Sequence, residues 1–227
     1  MRHNYETLRP DDRQILELVR DFFADLAPAG ETRKGLDLGS GPNLYPALAM
    51  LPLCQEITLF ERSTSNVGWL QGEVRHFGRS WDPFWDLLCE HPRYRAVGDP
   101  RPAFANRVSV QSGNVFDLPE GAWDIGTMFF VAESISACPE EFKAAVLRFI
   151  GALRAGAPFA AAFMERSAGY DVGDIRFPAV SVGEDGIRSI LEPVAAELHL
   201  KRIGIDGDAL RDGYEGMIVV CGRVGAA

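Results

Sequence analysis

The residues best suited to chemistry stand in one short run, Asp37-Leu38-Gly39-Ser40-Gly41-Pro42-Asn43. Two glycines so close together, at the end of the apolar segment Leu36-Asp37-Leu38, let a backbone approach a ligand, and amides exposed where a helix begins attract negative charge. About twenty residues further on, Glu61 closes a second apolar run over 56–60, where a carboxylate is placed to accept from ribose hydroxyls. Pro42 and Asn43 occupy the place where a pyrophosphate-binding loop would continue toward a third glycine. The loop therefore suits a ligand with a carboxylate better than one with a pyrophosphate. S-adenosyl-L-methionine (SAM) has a ribose, a carboxylate and no phosphate, and is the expected ligand. A tight turn with no ligand would also use two glycines; Glu61 is what moves the reading toward a binding loop.

Such a loop needs a strand before it and a helix after it, the opening unit of a doubly wound α/β sheet. The pattern supplies both. Ile15, Leu16, Leu18, Val19, Phe22, Phe23 and Leu26 recur at helical spacing after Pro10-Asp11-Asp12, an acidic first turn, and predict a helix that ends before Pro28. A helix over 45–51 follows the loop and stops at Pro52, and Val67, Leu70 and Val74 return to helical period after Glu61. Strands are predicted at 108–110, 124–131 and 159–163, with a helix over 139–153. A loop over 165–181 leads to a helix over 186–198, kinked at Pro193. Runs 200–205 and 216–223 close the sheet as an antiparallel pair around a turn near Asp206-Gly207-Asp208. The reading is one domain over 1–227, with an N-terminal cap over 1–30. The irregular segment 77–107, carrying Trp81, Phe84 and Trp85 and punctuated by Pro92, Pro100 and Pro102, is expected as an insertion packed on it.

Ligands of open α/β sheets bind beyond the carboxyl ends of the strands. That rule adds Asn114 and Val115 after the third strand, and Phe130, Val131 and Glu133 after the fourth. The Asn114 amide oxygen is suited to the adenine amino group and Val115 to the ring face, although Asn114 reads equally well as a turn residue after Gly113. Glu133 either faces the donor's methyl group or solvates its loop.

With these residues in place, the chain resembles the nicotinamide, phenylethanolamine and indolethylamine N-methyltransferase family over most of its length. The block from Leu36 to Tyr45 looks like that family's SAM loop, and Glu61-Arg62-Ser63-Thr64-Ser65-Asn66 resembles its acidic strand end with a downstream asparagine on the ribose. Trp81-Asp82-Pro83, Ala137-Cys138-Pro139-Glu140, Tyr170-Asp171-Val172-Gly173 and Tyr214-Glu215-Gly216-Met217 are similar to later segments. The resemblance implies a class I fold: a doubly wound, mostly parallel, seven-stranded Rossmann-like sheet with an antiparallel C-terminal strand. It implies that Asp37, Gly39, Ser40, Gly41, Asn43 and Tyr45 hold the donor from the loop. Tyr5, Glu61, Arg62, Asn66, Asn114, Val115, Phe130 and Val131 complete that set. Tyr5, Phe163, Glu165 and Tyr170 are expected around the acceptor, with Glu133 and Tyr170 in the catalytic roles. Two departures stand out: Asn114 replaces the family's usual aspartate, and the family's earlier tyrosine would lie before Met1.

In methyl transfer the sulfonium is already activated, so the protein mainly has to align a nucleophile with it. The expected activity is N-methylation of a small amine or azaheterocycle. One rival keeps SAM and changes the reaction: the donor's own amine attacks its side-chain carbon, giving azetidine-2-carboxylate and methylthioadenosine. A second is a SAM-binding module without catalysis. A nicotinamide-dependent dehydrogenase shares the fold, but Pro42 and the lack of a proton-donor constellation count against it. With 32 acidic against 23 basic residues and a net charge of −9, a nucleic-acid partner is not expected. Cys54, Cys89, Cys138 and Cys221 form no C-x-x-C pair, and His3, His76, His91 and His199 lack metal-ligand spacing. The expectation is a cytoplasmic protein, monomer or homodimer, with reduced thiols, no metal, no leader and no membrane segment.

Overall fold

The computed structural model describes residues 7–26, 33–172, 175–204 and 214–226. Helix α1 (Pro10–Ala24) opens the chain and β1 (Lys34–Leu38) enters the glycine loop. They are followed by α2 (Tyr45–Met50), β2 (Glu56–Glu61) and α3 (Thr64–His76). The proline-punctuated segment folds as three short helices, α4 (Asp82–Leu88), α5 (Pro92–Arg95) and α6 (Pro100–Arg107), each with a proline in its first turn. Then come β3 (Val108–Ser112), β4 (Ile125–Phe129), α7 (Pro139–Ala152), β5 (Pro158–Glu165), β6 (Tyr170–Val172), β7 (Ile175–Phe177), α8 (Glu184–Leu191), β8 (Ala195–Gly204) and β9 (Gly216–Val224).

Seven strands form one sheet in the order β3-β2-β1-β4-β5-β9-β8. Strands β1 to β5 pair in parallel, and β9 runs antiparallel between β5 and β8. This is the mostly parallel, doubly wound sheet with one antiparallel strand that the alternation of strand and helix predicts. The direction of chain reversal between β3 and β4, on either side of β2-β1, gathers the strand ends around the glycine loop.

Period-two alternation sorts side chains to two cores. Ile57, Leu59, Ile125, Phe129, Ala160 and Ala162 face α1, α2 and α4, while Leu36, Leu38, Met128, Phe159, Ala161 and Phe163 face α7 and α8. The buried strand residues are almost all apolar, so the buried polar residues Asp37, inside β1, and Thr127, inside β4, stand out.

Two expectations are corrected. The helix over 186–198 stops at Leu191, because Pro193 cannot continue the ladder, and residues from Ala195 onward join β8. A bulge between Ala196 and His199, with Glu197 at φ +53°, absorbs the irregularity. The loop over 165–181 contains the two-stranded hairpin β6-β7. The expected turn at Asp206-Gly207-Asp208 lies outside the described residues.

Candidate functional site

The site grows from the end of β1. Gly39 and Gly41 take φ values of +67° and +56°, a conformation that favours glycine. A Cβ on Gly39 would meet both Cγ atoms of Val131 at 2.6 Å, so the loop after β1 and the turn after β4 pack backbone against side chain. At Gly41 the nearest atom to such a Cβ is the Gly39 carbonyl oxygen at 3.8 Å, leaving open space above the loop. Gly39 N–H donates to the Phe60 carbonyl at 2.7 Å, and the Ser40 hydroxyl donates to the Asp37 carbonyl at 3.1 Å.

Glu61 ends β2, 7% exposed, and reaches across to the loop. One carboxylate oxygen accepts the Gly41 N–H at 2.9 Å and the other the Ser63 N–H at 2.7 Å. A carboxylate offers about four lone-pair sites, so two remain for hydroxyl donors. Two residues behind the loop, the Asn43 amide oxygen accepts the Tyr45 N–H at 3.0 Å. Arg62 is exposed and Asn66, in the first turn of α3, is half-buried.

Asp37 pairs in register with Thr127 of β4, and the Thr127 hydroxyl donates to its Oδ1 at 2.8 Å. Its Oδ2 has no hydrogen-bond partner among the described residues. Burial pushes the carboxyl up to about 7, opposed by Thr127 and by the nearby Ser40 hydroxyl, and helped by the Glu61 charge.

After β3, the Asn114 amide oxygen accepts the Phe116 N–H at 3.3 Å and caps a short 3-10 turn, Val115–Asp117. Val115 is buried beside it. Gly113 lies on the Phe60 ring, which a Cβ would strike. After β4, Phe130 adopts φ +62°, unusual for an aromatic residue, with its N–H donated to the Ala162 carbonyl at 2.7 Å. Strained backbone of this kind gathers at functional sites. Phe130 and Val131 are both half-buried at the rim.

Four expected site residues sit differently. Tyr45 is wholly buried, and its hydroxyl donates to Asp12 at 3.1 Å instead of facing the loop's open side. Phe163 is also wholly buried, edge-on to Phe142 with centroids 5.8 Å apart, because period-two alternation points it at α7. Glu133 has no exposed surface: its Oε1 accepts the Met164 N–H at 2.9 Å and its carbonyl accepts the Val180 N–H at 2.8 Å. It ties β5 and the 166–182 segment to the turn after β4, so a direct catalytic role does not fit this geometry. Glu165, 7% exposed, is held by the Arg202 guanidinium. Tyr170 is half-buried and stacks on Phe177 at 5.1 Å and 13°. Tyr5 lies outside the described residues.

Two groups escaped sequence reasoning. Thr127 is the single polar residue inside the apolar strand β4, which was a usable signal. Asp12 reads as an ordinary first-turn acid, yet it is 4% exposed, and burial together with Asp11 raises its carboxyl to about 7 against the opposing Tyr45 hydroxyl and Arg9. Among the described residues no cluster of potential metal ligands occurs, and no helix is long and apolar enough to cross a membrane.

No protein-family model matches the chain, and no curated protein matches it in sequence. Solved structures do. N-methyltransferase NodS from Bradyrhizobium japonicum, in complex with S-adenosylhomocysteine, superposes with a TM-score of 0.59 at 12% identity, covering 96% of this chain and 89% of NodS. The 1,6-didemethyltoxoflavin-N1-methyltransferase of Burkholderia thailandensis, with 1,6-didemethyltoxoflavin and S-adenosylhomocysteine bound, gives 0.57 at 14% identity over 95% and 80%. The [4+2]-cyclase SpnF gives 0.56 at 15% identity over 93% and 82%. At this identity the likeness carries the fold alone, which is that of class I SAM-dependent methyltransferases.

Proposed function

We propose that the chain is a SAM-dependent methyltransferase that N-methylates a small amine or azaheterocycle. The observation that carries this reading is the Glu61 carboxylate, fixed by the Gly41 and Ser63 amides at the rim of the double-glycine loop. That arrangement offers a ribose its acceptor and an amino-acid arm the open space above Gly41. The residues present fit SAM: a cradle that side chains would fill, an acid for the ribose, and a buried carboxyl with an unsatisfied oxygen. Asn114 and Val115, beyond the end of β3, are assigned to adenine, and Phe130 and Val131, beyond the end of β4, flank the loop from its other side. The choice of nitrogen as acceptor rests on the resemblance to the nicotinamide and phenylethanolamine N-methyltransferases. It is supported by two of the structural neighbours being N-methyltransferases, one of them with its heterocyclic substrate bound.

When bound, SAM supplies an electrophilic methyl on a sulfonium. The chain's own work is to hold the nucleophile in line and keep water away. Phe130, presented at the rim by its left-handed backbone, and Tyr170, braced on Phe177, are the aromatic surfaces available for that. Glu133 acts indirectly, by fixing the 166–182 segment against the turn after β4.

Mass spectrometry of products decides between methyl transfer and its rivals. S-adenosylhomocysteine is expected only when an amine or pyridine acceptor is added. Methylthioadenosine released from SAM alone above the uncatalysed rate, with no S-adenosylhomocysteine across the acceptor panel, would replace methyl transfer by intramolecular cyclisation. Tight binding with neither product would leave a SAM-binding module.

A further inference from the structure

An aspartate in the first turn of a helix ordinarily meets water, where the helix dipole already favours it. Asp11 and Asp12 of α1 are instead 1% and 4% exposed. Asp11 Oδ1 accepts the Asp12 N–H at 3.0 Å and the Arg9 guanidinium at 3.3 Å, whereas Asp12 Oδ1 accepts the Tyr45 hydroxyl at 3.1 Å. A phenylalanine at 45 facing an apolar residue at 12 would fill the same space with no polar group to desolvate. What the polar pair adds is direction: it sets the first turn of α1 against the first residue of α2 in one arrangement. The surroundings of Tyr45 belong to the donor site. Its N–H is held by the Asn43 amide oxygen at 3.0 Å, two positions beyond Gly41. Its ring stacks on Phe84 with centroids 5.5 Å apart and lies edge-on to Phe129 at 5.6 Å, and Phe129 leads directly into Phe130. The two arms of the glycine loop are therefore supported unequally. Upstream, β1 is laced between β2 and β4, and the Gly39 N–H is tied to Phe60. Downstream, the loop runs into α2, which has six residues, and a helix that short depends on its packing for its position. The Tyr94 hydroxyl, donated to the Ala49 carbonyl at 2.8 Å, fixes the far end of α2, and the Tyr45–Asp12 bond fixes the end that adjoins the loop.

We propose that Asp12 is a positioning residue of the donor site: through the Tyr45 hydroxyl it holds the downstream arm of the glycine loop, so that the amino-acid arm of SAM binds at full strength only while the first turn of α1 is docked. The inference rests on the donor site described above and adds to it a residue from a separate element. Without the bond, Tyr45 keeps its stack on Phe84 but loses the constraint on its hydroxyl end. A shift of Tyr45 carries Asn43 with it, because backbone and side chain both join them, and the open space above Gly41 changes shape. The groups assigned to adenine and ribose feel this less. Asn114 and Val115 stand beyond β3, and Glu61 keeps its bond to the Ser63 amide.

Calorimetry with S-adenosylhomocysteine, and with methylthioadenosine, which lacks the amino-acid arm, tests this without reference to turnover. Tyr45→Phe removes the hydroxyl and keeps the ring, and S-adenosylhomocysteine should bind it about three- to tenfold more weakly, the scale of one hydrogen bond. Asp12→Ala should lose a similar factor, and the double variant no more than the larger single loss, since both changes remove the same bond. Asp12→Asn keeps an acceptor for the hydroxyl and should stay within about twofold of wild type. Methylthioadenosine affinity should change by less than about twofold in each of these variants. Val19→Ala, farther along the buried face of α1, controls for lost helix packing: it should lower the melting temperature and leave S-adenosylhomocysteine affinity unchanged. Wild-type affinity in Tyr45→Phe, losses that multiply in the double variant, an Asp12→Asn protein as weak as Tyr45→Phe, equal losses for methylthioadenosine, or a matching loss in Val19→Ala would each overturn the proposal while sparing the donor site. If Asp12→Ala does not fold, Tyr45→Phe and Asp12→Asn carry the test. Failure of the wild-type protein to bind S-adenosylhomocysteine would remove the donor site, and the inference with it.

Discussion

The proposed donor side of the site and its proposed acceptor side are built by different means. On the donor side, strand ends do the positioning: Gly39, Glu61, Gly113 and Phe130 are each joined by backbone hydrogen bonds to a neighbouring strand or to the residue just beyond it. On the acceptor side, the 166–182 segment is tied largely to itself, by Arg166 to Val182 and the Tyr170–Phe177 stack, and to the rest of the molecule by Val180 to Glu133, the Arg166–Glu215 ion pair and the buried side chains of Val180 and Val182. Cooperative ladders hold geometry to fractions of an ångström, whereas a loop pinned at a few points can change its lining at little cost. A scaffold of this kind keeps one ligand constant and lets the other vary.

The contrast is broken most severely at Gly39. Gly39→Ala combines a left-handed backbone that costs about 1–2 kcal/mol for an L side chain with an overlap against Val131. A loss of about 2–5 kcal/mol, in stability or in donor affinity, is expected from thermal melts and calorimetry. Adding Val131→Ala should recover the part due to overlap and leave the backbone part. A Gly39→Ala protein with wild-type melting and affinity would show that the loop after β1 is not the rigid element it is taken to be.

A smaller effect is expected at Glu61. Glu61→Ala removes the acceptor for two backbone amides and the hydrogen-bonding partner assigned to the ribose. Donor affinity should fall by about 1.5–3 kcal/mol in calorimetry. Glu61→Gln should lose less, since one carbonyl oxygen still accepts. Unchanged affinity in a folded Glu61→Ala protein would take Glu61 out of the site.

The same contrast explains what the sequence makes legible. The donor side is written in short-range signals: a glycine pair after an apolar run, an acid at the next strand's end, a turn at Asn114. Each has a local physical cause, so spacing alone locates it. The sheet is legible for the same reason, through buried strands separated by helical periods. The acceptor side depends on which way a side chain points within a strand and on contacts between distant segments. Phe163 and Glu133 lie at the right height along β5 and after β4, yet alternation turns Phe163 toward α7 and the Met164 amide draws Glu133 inward. Tyr45 is diverted by Asp12, 33 residues away, a partner that no local pattern reveals. The hairpin β6-β7 is too short for a periodic signal, and Pro193 was legible as a kink although it ends the helix outright.

The smallest effect on the donor belongs to Tyr170, and it sharpens the comparison. Its ring stacks on Phe177 within the hairpin, a pair whose loss is worth about 0.5–1.5 kcal/mol beyond area. Tyr170→Ala should therefore loosen the hairpin locally. Gly169 at φ +111° brings its backbone against the Phe177 carbonyl, so the open end of the hairpin is held by close backbone approach and should persist. Because the hairpin and the glycine loop belong to different attachments, SAM affinity should change by less than about 0.5 kcal/mol, as for independent sites. The acceptor should feel the change instead, with a raised KM and a lower yield of S-adenosylhomocysteine at fixed donor. Tyr170→Phe separates the ring from its hydroxyl: retained activity would assign the role to the aromatic face, and activity lost as in Tyr170→Ala would assign it to the hydroxyl. If Tyr170→Ala instead weakens SAM binding as much as Glu61→Ala does, the two sides are one cooperative unit and the division between them is wrong.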